Sequence, residues 1–163
     1  MKNLHKIGLG GGCHWCTEAV FQSLQGVEKV EQGYISTVAN PEIFCEGVLV
    51  SFDPEFIDLE KLIDIHLQTH QSTSNHSMRA KYLSAVYSFT SEQHSRVEGI
   101  LNKLQKNYAI EFVTKAYHFG DFKASRKEIW NYYKTDPERP FCKIYIEPKL
   151  NLVRQKFTEQ VKK

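Results

Sequence analysis

The sequence has little cysteine, little proline and almost no net charge, and each shortage removes a class of protein. Four cysteines in 163 residues are too few and too scattered to staple a disulfide miniprotein. Five prolines and nine glycines exclude collagen-like repeats and Pro-rich linkers, and a hydrophobic content of 41% excludes a disordered chain. Lys and Arg number 21 against 19 for Asp and Glu. The resulting formal charge of +2 offers no field for nucleic acid or an anionic membrane. No apolar run approaches the ~20 residues that span a bilayer, and Met1 to Gly12 lacks the apolar core and cleavage site of a secretory signal. We expect a single cytoplasmic domain over residues 1–163 whose partners are recognised locally.

What is present is an alternation of strand and helix patterns. Lys6 to Leu9 reads as a strand running into Gly10, Gly11 and Gly12. A helix follows from Cys13, with Trp15, Ala19, Val20 and Leu24 near helical spacing and Gly26 as its stop. Val27 to Ser36 and Cys45 to Phe52 read as strands, and Asp58 caps a helix carrying Leu59, Leu62, Ile63 and His66 on one face. Gln71 to Ser77 is a polar loop. Tyr82 to Phe89 and Glu111 to His118 read as strands on either side of a long amphipathic helix opened by Ser91, and a short helix spans Arg126 to Tyr133. The apolar stretch Phe141 to Ile146, which places Cys142 in a strand, precedes a basic tail. This order predicts an α+β fold: a two-layer sandwich with a mostly antiparallel or mixed sheet, packed helices and a ferredoxin-like core.

Gly10-Gly11-Gly12-Cys13-His14-Trp15-Cys16 sets a thiol where a strand ends and a helix begins. The free N–H groups and positive dipole end of a helix start lower a thiol's pKa from about 8.5 towards 3.5–7.5. Cys16, three residues on, lies within reach of a disulfide with Cys13, as in thioredoxin-type pairs. Taken alone, Cys13 reads equally well as a small apolar residue buried behind a turn. Cys45 and Cys142 read as buried and inert. A zinc site would need two further ligands, for which His66 and His70 at i, i+4 are the best complement, though His66 falls on the apolar helix face.

Gly11-Gly12-Cys13-His14-Trp15 resembles the signature of the A-type methionine sulfoxide reductases, Gly-Gly-Cys-Phe-Trp-Gly before a helix. The resemblance continues in order through Gly33-Tyr34, Glu46 with Val48, Val50, Phe52, Asp53 and Pro54, Tyr82 with Ser84, Ala85 and Tyr87, Glu92-Gln93 and Asn131-Tyr132-Tyr133. It implies that Cys13 is the nucleophile, that Glu46 is the acid that protonates the sulfoxide oxygen, and that Tyr34 and Tyr82 are phenolic donors. Trp15, with His14, would bind the methyl group of the substrate. The chemistry is coherent, because sulfoxide reduction needs a soft nucleophile at sulfur and a proton for the departing oxygen. Apolar strand neighbours would keep Glu46 protonated.

The implied cycle yields methionine and a Cys13 sulfenic acid, which a second thiol condenses to a disulfide for thioredoxin or another dithiol to reopen. Cys16 is the first candidate resolving thiol, Cys142 the second and Cys45 the third. No metal, flavin or nicotinamide is needed, and the substrate is the S-sulfoxide, free or in oxidised proteins. The chain departs from the family pattern at His14 (Phe), Cys16 (Gly), Ser77 (Asp), Arg79-Ala80-Lys81, Leu83 and Glu128-Ile129-Trp130. Two alternatives keep the fold: a general thiol-disulfide oxidoreductase, which would not need Glu46 as an acid, and a non-catalytic redox sensor.

Overall fold

The computed structural model describes residues 3–70, 72 and 82–162. Its sheet is built around β3 (Cys45–Phe52), whose eight residues are all buried, as expected of an apolar run that Asp53 and Pro54 terminate. β3 pairs antiparallel with β1 (His5–Gly10), placing Ile7 opposite Val50. On its other side it pairs antiparallel with β2 (Val27–Thr37), placing Tyr34 opposite Glu46. β5 (Lys115–Ala124) is antiparallel to β2 and parallel to β4 (Ala85–Ser88). β4 returns to pair with β1, so the order β1-β3-β2-β5-β4 closes into a barrel. The fold is α+β, as predicted, but among the described residues the sheet closes into a barrel, where the sequence predicts a two-layer sandwich with a ferredoxin-like core. Closure depends on the four-residue β4, which hydrogen-bonds on both sides.

Side-chain alternation divides the core in two. Leu49, Ile35, Ala85 and Tyr87 fill one cluster. Ile7, Leu9, Val48, Val50 and Phe52 belong to the other, together with the helices. α1 (His14–Gln22) packs on β2 and β3 through a nearly continuous buried face. α2 (Leu59–Thr69) starts at Asp58, whose carboxylate accepts the Lys61 N–H at 2.8 Å, and buries Leu62, Ile63 and His66. Each such Leu or Ile contributes about 1.5–3 kcal/mol by leaving water. α3 (Ser91–Tyr108) buries Val97, Ile100 and Leu104, with Thr90 rather than Ser91 as its cap.

Four expectations shift. The pattern read as a strand from Tyr82 yields ladder only from Ala85, and the Ser84 hydroxyl just before it lies 2.8 Å from His70 and 2.6 Å from Thr114. The later strand runs to Ala124 because pairing with β2 holds it, although most of its side chains are exposed. Cys142 is not in a strand: Cys142–Ile146 forms a π-helical turn leading into α5 (Glu147–Lys156). Ile146, Leu150 and Val153, buried at i, i+4 and i+7, carry a helical period that the basic residues of the tail mask. A 3-10 turn at Lys127–Ile129 and the short α4 (Tyr132–Thr135) replace the single helix expected there.

Candidate active site

The glycine turn after β1 delivers Cys13 to the start of α1. Gly11 adopts φ +141°, which side-chain-bearing residues avoid, and a Cβ there would stand 2.6 Å from the His70 ring. Behind the turn, His66 donates Nε2–H to the Gly10 carbonyl at 2.7 Å. His70 donates Nδ1–H to the His66 carbonyl, and the two rings stack with centroids 4.1 Å apart. The histidines considered as zinc ligands therefore brace the turn. Among the described residues, no group of three or more His, Cys, Asp or Glu is arranged to hold a metal ion.

Cys13 is the N-cap of α1 and half-buried, and none of the four cysteines is in a disulfide. Its carbonyl accepts the N–H groups of Cys16 at 3.1 Å and Thr17 at 3.2 Å. The Cys13 thiol is held below the ordinary thiol range, chiefly by a hydrogen bond from the Cys16 thiol. Burial opposes this, the nearby amides of Trp15 and Cys16 favour it, and the Glu46 carboxylate opposes it. Cys16 is pushed up, first by donating to Cys13 and then by burial, while the Lys149 ammonium pulls the other way. Within the pair, the Cys16 thiol donates and Cys13 accepts, which favours the thiolate form at Cys13.

Glu46 is buried in β3 directly opposite Tyr34 of β2. Its Oε1 accepts the His14 main-chain N–H at 3.2 Å and lies 3.6 Å from His14 Nε2. His14 is itself buried. Its Nδ1 bonds the Gly33 carbonyl at 3.0 Å, and its ring meets the Tyr34 ring edge-on at 5.3 Å. The imidazole therefore borders the acid and a phenol. Tyr82 lines a cavity of about 550 Å³ with Gly11, Gly12, Cys13, Cys16 and Lys149, walled by Phe141, Tyr145 and Leu152. Glu46 and Tyr34 do not line it, and Cys13 is where cavity and acid meet.

Trp15 stacks on Tyr132 at 4.1 Å and 5° and meets Phe141 edge-on at 5.4 Å. Its surroundings are thus aromatic, as a methyl-binding wall requires. Cys142 is fully buried, with its Sγ 3.5 Å from the Asp136 carbonyl, and it lies near enough to Cys16 for its charge to raise that thiol. Cys45 lies in β3 near Tyr87 and Tyr117. Of the departures, Ser77 and Arg79-Ala80-Lys81 fall outside the described residues. Ile129 lends its carbonyl to Gln32 at 2.9 Å, and the Trp130 indole donates to Ser125 at 2.8 Å.

Two contributors carry no motif. Glu18, buried in α1, accepts the N–H groups of Asn131 at 3.0 Å and Tyr132 at 3.1 Å, fixing the ring that stacks on Trp15. Its place one helical turn after the Cys13–Trp15 segment was the only available hint. Lys149 stands over the glycine turn, its Nζ 4.0 Å from the position of a Gly12 Cβ, and nothing in its local sequence marks it.

The family model described as peptide methionine sulfoxide reductase matches residues 5–161. The peptide methionine sulfoxide reductase MsrA of Psychrobacter sp. (strain PRwf-1) is 32% identical over 98% of this chain and 100% of its own length. Among solved structures, Mxr1 from Saccharomyces cerevisiae in its reduced form superposes with a TM-score of 0.74 at 18% identity, over 85% of this chain and 89% of that one. The same yeast protein in complex with Trx2 gives a TM-score of 0.61 at 21% identity, over 79% and 84%. Full-length similarity, the ordered motifs and the shared fold agree: this chain belongs to the peptide methionine sulfoxide reductase family.

Proposed function

We propose that Cys13, Glu46, Tyr34 and Tyr82 carry out the thiol-dependent reduction of methionine S-sulfoxide to methionine that this family performs. The observation that carries the assignment is the Cys13 thiol, lowered by the donated Cys16 S–H and lying within reach of the buried Glu46 carboxyl. Cys13 thiolate attacks the sulfoxide sulfur, and Glu46 gives a proton as the S–O bond breaks. The thioether leaves, Cys13 holds the oxygen as a sulfenic acid, and Glu46 is left as carboxylate. Tyr34 and Tyr82 donate to the oxygen while charge develops on it, and Trp15 borders the substrate methyl.

Cys16 resolves the sulfenic acid: its S–H proton and the hydroxyl leave as water, and a Cys13–Cys16 disulfide forms. Its contact with Cys13 favours it over Cys142, which sits behind it, and over Cys45 near Tyr87. Thioredoxin or another dithiol reopens the disulfide, so reducing equivalents come from thiols without metal, flavin or nicotinamide. Such reductants belong to a compartment such as the cytoplasm. The substrate is methionine sulfoxide, free or in oxidised proteins.

The test is turnover of free and peptide-bound S- and R-methionine sulfoxide with dithiothreitol. The S-epimer is expected to be reduced. Cys13→Ser abolishes this activity and Glu46→Gln lowers it at least about 100-fold, within the range of general acid catalysis. Full sulfoxide turnover in Glu46→Gln would overturn the acid assignment, whereas no sulfoxide turnover beside a disulfide exchange that survives Glu46→Gln would favour a thiol-disulfide oxidoreductase.

A further inference from the structure

We propose that His14 is a positioning residue for Glu46, fixing the carboxyl and returning to it the proton that each reduction removes. This deepens the reading above and rests on Glu46 being the acid. The Gly33 carbonyl can only accept, so His14 Nδ1, 3.0 Å away, carries its hydrogen in both ionisation states of the ring. Any proton His14 gains or loses therefore sits on Nε2, the nitrogen 3.6 Å from Glu46 Oε1. The main-chain N–H of the same residue donates to the same oxygen at 3.2 Å, so one residue sets both contacts. The titratable side chains facing the ring are Glu46 from β3 and Tyr34 from β2, with Cys13 adjacent on the turn. At 3% exposure the imidazole is buried, and these groups are its nearest proton partners. A phenylalanine at this position would fill the space and carry no proton.

The balance closes. Cys13 thiolate, sulfoxide and the Glu46 proton give thioether, Cys13 sulfenic acid and Glu46 carboxylate. The His14 imidazolium passes its Nε2 proton to the carboxylate and becomes neutral. The reductant dithiol brings two electrons and two protons when it reopens the disulfide. One proton stays on Cys16, and the other, released as Cys13 returns to thiolate, restores the imidazolium.

The experiment measures steady-state reduction of L-methionine-S-sulfoxide with dithiothreitol between pH 5.5 and 9, because the proton return follows the chemical step and is read only over repeated turnovers. It compares the unmodified protein with His14→Phe and His14→Gln, each also in the Glu46→Gln background. The unmodified rate is expected to fall as pH rises across this interval, as the proton supply to Glu46 is lost. Both single variants are expected to lose that limb and to be slower by about tenfold or more at pH 6, with KM within about twofold. Neither should have a further effect in the Glu46→Gln background. If the Phe variant fails to fold, the Gln variant decides. An unchanged pH profile in the variants, or an equal loss in the Glu46→Gln background, overturns the proposal while leaving Glu46 as acid. An unmodified protein that turns over no sulfoxide overturns the underlying reading instead.

Discussion

Replacing Glu18 with Ala should destabilise the protein without touching any reacting group. The carboxylate is 2% exposed and binds two amides, Asn131 N at 3.0 Å through Oε2 and Tyr132 N at 3.1 Å through Oε1. A hydrogen bond to a charged acceptor is worth about 1.5–3 kcal/mol, so two would total about 3–6 kcal/mol if both amides became dry and unpaired. Asn131 is exposed, so water takes up its N–H in the variant, and removing a buried carboxylate also recovers part of its desolvation cost. The expected net loss is about 2–3 kcal/mol, a fall in Tm of about 5–10 °C for a domain of this size. Urea unfolding should show a lower midpoint with an unchanged slope, and hydrogen exchange should show lost protection at Asn131 and Tyr132. Asn131 has φ +55°, a left-handed conformation that costs energy unless its neighbours enforce it. A loss below about 0.5 kcal/mol with both amides still protected would refute this account of how α4 is held to α1.

Cys16→Ala removes the hydrogen bond that most lowers the Cys13 thiol. Because that bond favours the thiolate, its loss raises the Cys13 pKa, and iodoacetamide labelling of Cys13 should reach half its maximal rate at a higher pH than in the unmodified protein. Tyr87 is fully buried and its hydroxyl has no hydrogen-bond partner among the described residues, so Tyr87→Phe should raise stability by about 1 kcal/mol in urea unfolding, and a loss of that size would refute this expectation. Gly11→Ala forces a side chain onto φ +141° and into His70. It should cost about 1–3 kcal/mol from backbone strain alone and lower sulfoxide turnover by displacing Cys13, whereas wild-type turnover would show that the turn tolerates a Cβ.

The sequence made local features legible and long-range ones illegible. The bounds of β3 follow from an apolar run closed by Asp53-Pro54, and the start of α2 follows from Asp58, because both signals lie within a few residues of the feature they mark. The thiol pair at the helix start was readable for the same reason. Tyr34 and Glu46 lie twelve positions apart in the chain, and only the β2–β3 register makes them neighbours. The closure of the sheet depends on a four-residue strand pairing with two distant partners, which no local period encodes. Glu18 grips a segment 113 positions away, so its burial could not be told from ordinary helix-surface acidity. His14 was readable as a departure from the family pattern. Its contacts with Gly33 and Glu46 required three separate elements to converge.

The contact between Cys13 and Cys16 couples the two halves of the proposed cycle. In the reduced protein the Cys16 S–H stabilises the Cys13 thiolate, so the nucleophile is strongest when its partner holds a proton. Resolution reverses the demand, because Cys16 must lose that proton to attack the sulfenic sulfur. Sulfenic acid formation itself supplies the change: Cys13 ceases to be an anion, and the largest influence raising the Cys16 thiol disappears. Lys149, whose ammonium favours the Cys16 thiolate, then acts with less opposition. The resolving thiol is therefore held inactive by the nucleophile and released by the nucleophile's own oxidation, an order of events set by one sulfur–sulfur contact at the start of α1.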